Sequence, residues 1–225
     1  MIEPRTALVL GATGLVGSRL VDLLLDDPVY TTVRVLSRRP LQRTHPNLHV
    51  EIVDFSDLPD DPDIFQADDL FIAFGTTMKK AGSREAFQWV DLDIPLAVAL
   101  RALDAGTGNC LLVSSVGADP GSPVFYSRVK GELEQALEEA EFNSLQIFRP
   151  SFLMGERQEN RPAERIGIAL FRFFRWIKDD LLGIYSPMPI DMLARGMVNA
   201  AKMALEGKLI YHYREIRAIS RQNIV

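Results

Sequence analysis

Short uninterrupted apolar runs alternate along this chain with longer amphipathic stretches, a pattern that predicts strands and helices in turn. The runs at 6–10, 33–37, 48–53, 70–74, 110–113 and 144–149 have strand length. Several are apolar at consecutive positions, so both of their faces are expected to be covered, as in a parallel sheet. Residues 15–25 are apolar almost all round, which suits a helix lying on a sheet between neighbours, and Pro28 marks its end. Residues 85–105 put Leu92, Leu96, Leu100 and Leu103 on one helical face. Pro95 does not fit a helix interior, so the main part of that helix is expected to begin near Asp93 as N-cap. Val129, Leu133, Ala136, Leu137 and Ala140 are helically spaced. Residues 191–205 read as a last amphipathic helix capped by Asp191, and 209–213 as a short closing strand. Strands and helices in this order predict an α/β fold.

The first strand-to-helix junction reads Leu10-Gly11-Ala12-Thr13-Gly14-Leu15-Val16-Gly17, with a glycine at every third position. Gly11 can take backbone angles that a side chain forbids, so the strand can turn sharply. Gly14 lacks a Cβ and lets a diphosphate approach the backbone, while Gly17 lets the helix pack closely. The first helical N–H groups and the helix dipole then hold the phosphate charge. A glycine triplet alone is a weak signal; the apolar strand before it and the apolar helix after it strengthen it. The expectation is a dinucleotide site on Gly11, Thr13, Gly14, Leu15 and Val16, against the plainer alternative of a βα turn without ligand.

Further candidates fall at the ends of later strands. Ser37-Arg38-Arg39 stands where NAD-preferring enzymes carry an acid for the ribose 2′-hydroxyl. A hydroxyl and two guanidinium forks suit a 2′-phosphate, so NADP(H) is expected over NAD(H). Asp54 and Phe55 are placed to meet the adenine, or Asp54 caps a turn. Gly75-Thr76-Thr77 are small enough for a ribose and diphosphate to rest on the backbone, and Met78-Lys79-Lys80-Ala81-Gly82 continues as a basic loop. Ser114-Ser115 ends strand five, at the sheet edge where open α/β folds place their chemistry. Tyr126 and Lys130 lie one helical turn apart, and an ammonium so placed loosens a phenol's proton. Gly131 beside them permits another group to come close. Pro150 closes strand six, beside the expected nicotinamide position. Arg157 or Arg161 is expected to meet substrate, or else to pair with neighbouring glutamates. Residues 162–178 read as a helix whose Phe171, Phe174 and Trp176 line a pocket, pack on the core or meet a second subunit, with a membrane-surface helix as the weaker alternative.

Composition narrows the class. The 225 residues suit one large α/β domain, and 47% hydrophobic with 24% charged residues is globular. A net charge of -5 argues against nucleic acid as the main partner. One cysteine, Cys110, forbids an internal disulfide and suits a reducing compartment, and the cytoplasm is the expected location. No signal peptide or membrane-spanning run is legible. His45, His49 and His212 make no metal-ligand cluster, so no metal is expected.

Taken together, Gly11-Ala12-Thr13-Gly14-Leu15-Val16-Gly17, Ser114-Ser115 and Tyr126-Ser127-Arg128-Val129-Lys130 resemble the atypical and extended branch of the short-chain dehydrogenase/reductase superfamily. Phe74-Gly75-Thr76-Thr77, Val129-Lys130-Gly131-Glu132-Leu133-Glu134, and Phe148-Arg149-Pro150-Ser151 running on to Glu156-Arg157-Gln158-Glu159-Asn160-Arg161-Pro162 look like the Tat-interacting-protein group of NAD(P)H-binding oxidoreductases. The resemblance spans nearly the whole chain. It implies a doubly wound parallel sheet, a Rossmann fold over residues 1–225, with 151–225 contributing a small helical substrate-side lobe. NADP(H) would lie across the C-terminal strand edge. Tyr126 would be the proton donor to a carbonyl oxygen, Lys130 would assist it and bind the nicotinamide ribose, and Ser115 would donate to the substrate oxygen, with Ser114 the alternative. The superfamily's shorter enzymes add an asparagine on the helix before strand five, where this chain has Asp91 or Asp93. About 75 residues follow strand six, short beside sugar-nucleotide epimerases, which disfavours a large nucleotide-sugar and leaves a smaller molecule as the expected substrate. The alternative is a non-catalytic protein that senses the nucleotide or binds a partner; a homodimer is compatible with either.

Overall fold

The computed structural model describes residues 3–154, 183–203, 205–222 and 224. Its elements are β1 (Arg5–Leu10), α1 (Leu15–Asp26), β2 (Tyr30–Ser37), β3 (Leu48–Ile52), β4 (Asp69–Ile72), α2 (Met78–Ala81), α3 (Arg84–Gln88), α4 (Ile94–Asp104), β5 (Asn109–Val113), α5 (Phe125–Glu139), β6 (Ser144–Phe148), β7 (Leu153–Met154), β8 (Met188–Pro189), α6 (Ile190–Lys202), β9 (Gly207–Tyr211) and α7 (Tyr213–Ser220). Seven strands form one sheet in the order β3-β2-β1-β4-β5-β6-β9, and every pairing is parallel. The order reverses between β1 and β4. That reversal is the topological switch point at which open α/β sheets bind ligands.

The apolar runs read as expected, because successive side chains of a strand point to opposite faces. Ala7 and Val9 of β1 face one core with α1, α6 and α7, through Leu20, Leu24, Leu193, Met197 and Ile216. Leu8 and Leu10 face the other, with Val98 and Ala102 of α4 and Leu133 and Leu137 of α5. Every one of these side chains is fully buried.

A buried polar chain crosses the opposite, N-terminal edge of the strands. Asp69 accepts from Tyr30 at 2.8 Å, from Asn109 at 2.6 Å and from Arg5 at 2.5 Å. Gln146 donates to Asn109 at 3.2 Å and to the carbonyl of Ala200 at 3.2 Å, tying α6 to the sheet. Burial raises the Asp69 carboxyl to about 6, against the pull of Arg5 and its hydrogen-bond donors.

Four details differ from the sequence expectation. The main helix α4 does start after Asp93, as expected, but Asp93 is itself helical and makes no side-chain cap, because a π turn, Trp89–Asp93, leads straight into α4 with Ile94 N–H on Trp89 O; Pro95 falls in the first turn of α4. Asp191 does not cap α6: Pro189 is the N-cap, and Asp191 pairs instead with Arg19 and Arg195, each at 2.7 Å. The basic loop 78–82 is partly helical, as α2, with Thr77 as cap. The closing strand ends at Tyr211, and Tyr213 opens a helix, α7, that sequence periodicity did not reveal. Arg157, Arg161, Phe171, Phe174 and Trp176 lie outside the described residues.

Candidate active site

The glycine turn is built by contact as well as by backbone angle. Gly11 has a φ of 101°, and a Cβ there would stand 2.4 Å from the carbonyl oxygen of Ala73 at the end of β4. A Cβ on Gly17 would stand 2.1 Å from the carbonyl oxygen of Gly11. Gly14 is the freer position, with Gly11 O at 3.3 Å as the nearest atom to an added Cβ. It is also the N-cap of α1, without a side-chain cap and without an acid in the first turn. The positive end of α1 is thus left uncapped by any side chain at the switch point, a place fit for an anion. Thr13 and Gly14 are exposed there, Leu15 is half-buried and Val16 is buried.

At the end of β2, Ser37 is buried and donates to Arg39 O at 2.7 Å, while Arg39 N–H returns a bond to Ser37 Oγ at 3.3 Å. The hydroxyl therefore shapes the loop that presents Arg38 and Arg39, both exposed. At the end of β3, Asp54 takes the turn role: Oδ1 accepts from Ser56 N–H and Ser56 Oγ, at 2.9 and 2.7 Å, which holds this exposed carboxyl below its ordinary range. Phe55 is 6% exposed and packs on Phe74, ring centroids 5.5 Å apart, so it belongs to the core and is not a free cover.

The ends of β4, β5 and β6 meet around α5. Gly75 lies over a buried ion pair: Lys130 Nζ is 2.8 Å from Asp91 Oδ1, and a Cβ on Gly75 would stand 2.8 Å from that same oxygen. Asp91 Oδ2 accepts from Thr76 N–H at 2.8 Å. Oδ1 is the oxygen that meets the Lys130 ammonium. Of the two acids weighed for this position, Asp91 is the one that reaches the lysine.

The two strand-end serines separate. Ser114 Oγ donates to buried Glu134, which Arg149 also grips through Nε at 3.0 Å. Ser115 Oγ is buried and has no hydrogen-bond partner among the described residues. Its neighbours are pinned to the end of β6: Ser114 N–H bonds to Phe148 O at 2.8 Å and Val116 N–H to Pro150 O at 2.9 Å. The following loop lies on α5, with Asp119 N–H on Ser127 O at 3.1 Å. A Cβ on Gly131 would fall 2.3 Å from the Asp119–Pro120 backbone, which is the close approach that glycine permits. Tyr126, on the first turn of α5, is 38% exposed and packs beside Phe87, ring centroids 5.7 Å apart. Glu134 and Arg149 went unread in the sequence; the one signal was an acid on the buried face of α5.

The sequence profile of the NAD dependent epimerase/dehydratase family matches residues 7–178. The chain belongs to that family. Membership places it in an NAD(P)-dependent group of epimerase and reductase type. It is 34% identical to Protein HTATIP2 of Rattus norvegicus over 222 residues, 94% of this chain and 90% of that one. It is 33% identical to the mitochondrial Protein FMP52 of Candida albicans, over 89% of this chain and 90% of that one. The superfamily resemblance and the narrower one to the Tat-interacting-protein group therefore hold. Among solved structures, MoeE5 in complex with UDP-glucose and NAD superposes with a TM-score of 0.69 at 16% identity, covering 96% of this chain and 80% of that one. The ADP-L-glycero-D-manno-heptose-6-epimerase of Helicobacter pylori does so with a TM-score of 0.68 at 17% identity, covering 99% and 83%. These likenesses establish the Rossmann-like fold. No described helix of this epimerase/dehydratase family member is long and apolar enough to cross a membrane.

Proposed function

We propose that this chain is an NADP(H)-dependent oxidoreductase of short-chain dehydrogenase/reductase type that reduces a small carbonyl compound. The observation that carries the reading is the Ser115 hydroxyl, buried without a partner among the described residues at the sheet edge between the β6 end and α5. An unmade hydrogen bond at a buried hydroxyl costs about 1–3 kcal/mol, which a substrate oxygen accepting from Ser115 restores. Ser114 is already committed to Glu134, so Ser115 is the donor.

The cofactor fits the residues present. Gly14 and the uncapped start of α1 would receive the diphosphate, and Arg38 and Arg39 would meet a 2′-phosphate where an acid would repel it. Gly75, Thr76 and Thr77 would carry ribose and diphosphate on their backbone, and Pro150 would lie beside the nicotinamide. When bound, the reduced nicotinamide supplies a hydride to the carbonyl carbon. Ser115 orients and polarises the carbonyl oxygen. Tyr126 gives that oxygen its proton from the open first turn of α5, and Lys130 stands one turn behind it. The substrate is small-molecule, with no role for nucleic acid, and the cytoplasm is the proposed compartment.

Tyr126→Phe tests the reading. Turnover is expected to fall by about 10²–10⁴ while NADPH affinity holds, since the phenol acts on substrate alone. Retained turnover removes Tyr126 from the chemistry.

A further inference from the structure

We infer that Arg43 is a positioning residue for cofactor choice: it ties the Arg38–Arg39 loop to α1, so that the places for a diphosphate and for a 2′-phosphate are held at a fixed separation. This role rests on the NADP(H) reading of the same site. Its ground is a forked contact between the loop after β2 and α1. One guanidinium nitrogen of Arg43 donates to Asp22 Oδ1 at 2.6 Å, and the other terminal nitrogen donates to Ser18 Oγ at 3.2 Å. Ser18 and Asp22 lie four residues apart on α1 and so share a face, which lets one planar fork span them. Ser18 N–H in turn bonds to Gly14 O at 2.9 Å. Arg43 therefore grips the turn of α1 that begins at Gly14.

The loop has need of such a tie. Ser37-Arg38-Arg39-Pro40-Leu41-Gln42-Arg43 carries three cations and no acid, so its charges repel one another and favour an extended, open loop. Its near end is held by Ser37, which exchanges hydrogen bonds with Arg39. Pro40 narrows the backbone that follows, and half-buried Leu41 packs against the core that α1 shares. Arg43 fixes the far end, and Asp22 cancels its charge. A loop already fixed loses less freedom when a ligand orders it. That advantage falls to a ligand that spans α1 and the loop together. NADPH would span them through its 2′-phosphate. NADH lacks that group and would draw on α1 alone. Arg43 thus acts on the choice between the two nucleotides, not on the binding of both.

The test is the dissociation constant of NADPH and of NADH, read by fluorescence titration of the full chain and two variants. Arg43 and Asp22 are both half-buried, so their replacement leaves the core intact. Arg43→Gln is expected to weaken NADPH about three- to fivefold, the scale of a partly exposed ion pair, and to leave NADH within about 1.5-fold. Asp22→Asn, which takes away the partner, is expected to weaken NADPH as well, by about twofold or more, again with NADH held. That second variant separates a tie from a direct ligand. Were Arg43 itself to grip the 2′-phosphate, releasing it from Asp22 would tighten NADPH, and that result overturns the inference. Equal loss of both nucleotides overturns it too, since Arg43 would then support the fold alone. A wild type that prefers NADPH, with an Arg43→Gln protein that prefers it as strongly, removes this role and leaves the NADP(H) reading standing. A wild type that binds both nucleotides alike removes that reading, and this role with it.

Discussion

The side-chain position of Gly17 points at the carbonyl oxygen of Gly11, 2.1 Å away, so the start of α1 and the end of β1 touch backbone to backbone. Neither partner is the end of a flexible side chain. Gly17→Ala is therefore expected to destabilise the fold by about 3 kcal/mol or more, read by urea unfolding. Gly14→Ala meets its nearest atom at 3.3 Å and is expected to cost about 1 kcal/mol while weakening NADPH at least about tenfold. A Gly14→Ala protein that binds NADPH as the wild type does would mean that no diphosphate rests there.

Arg38 and Arg39 are exposed and make no ion pair with a described residue, so their charge is free to meet a ligand. Arg38→Ala and Arg39→Ala are each expected to weaken NADPH about tenfold and to leave NADH within about twofold. Fluorescence titration with both nucleotides reads this directly. A wild type that binds the two equally well removes the 2′-phosphate role.

The adjacent serines separate stability from activity. Ser114→Ala leaves Glu134 without its hydroxyl donor in a buried site and is expected to cost about 1–3 kcal/mol of stability. Ser115→Ala removes a buried hydroxyl with no hydrogen-bond partner among the described residues and is expected to fold more stably than wild type, by about 1–3 kcal/mol. Its turnover should fall about 10²–10³-fold. The reverse pattern, an unstable Ser115→Ala and a sluggish Ser114→Ala, would exchange their roles.

Asp69 gives a pH signature remote from the site. Burial raises its carboxyl from 3.8 to about 6, so the folded chain holds this proton more tightly than the unfolded chain does. The stability it contributes is present in full below the unfolded value and is lost as pH rises through about 6. Asp69→Asn removes the titration. Its stability relative to wild type is expected to improve by about 2.4 kcal/mol between pH 4 and pH 7, whatever the offset at low pH. A flat difference across that range would place the Asp69 titration elsewhere.

How much was legible follows from the range of each interaction. The sheet could be read because β1, β4, β5 and β6 are apolar on both faces, and that is visible within five residues. The glycine turn, the serine pair and the Tyr126–Lys130 spacing are equally local. The Asp91–Lys130 contact is not, because it joins a π turn to a later helix and no periodicity marks it. The Asp69, Asn109 and Gln146 chain was hidden for the same reason: each is one polar residue near a strand start until the sheet lines them up. Asp191 had the look of a cap, yet its partners Arg19 and Arg195 are set by the packing of α1 on α6. The final helix α7 holds Tyr213, Ile216 and Ile219 at helical spacing, too short a repeat to stand out from a loop.

The most direct test of the chemistry at this strand edge is single-turnover oxidation of NADPH bound to the wild-type protein, followed by loss of reduced nicotinamide absorbance across a panel of small aldehydes and ketones. Oxidation stoichiometric with protein by at least one member, beyond the rate without carbonyl, is the expected result. Tight NADPH binding with no oxidation by any member would contradict it and leave a nucleotide-binding regulatory role in its place.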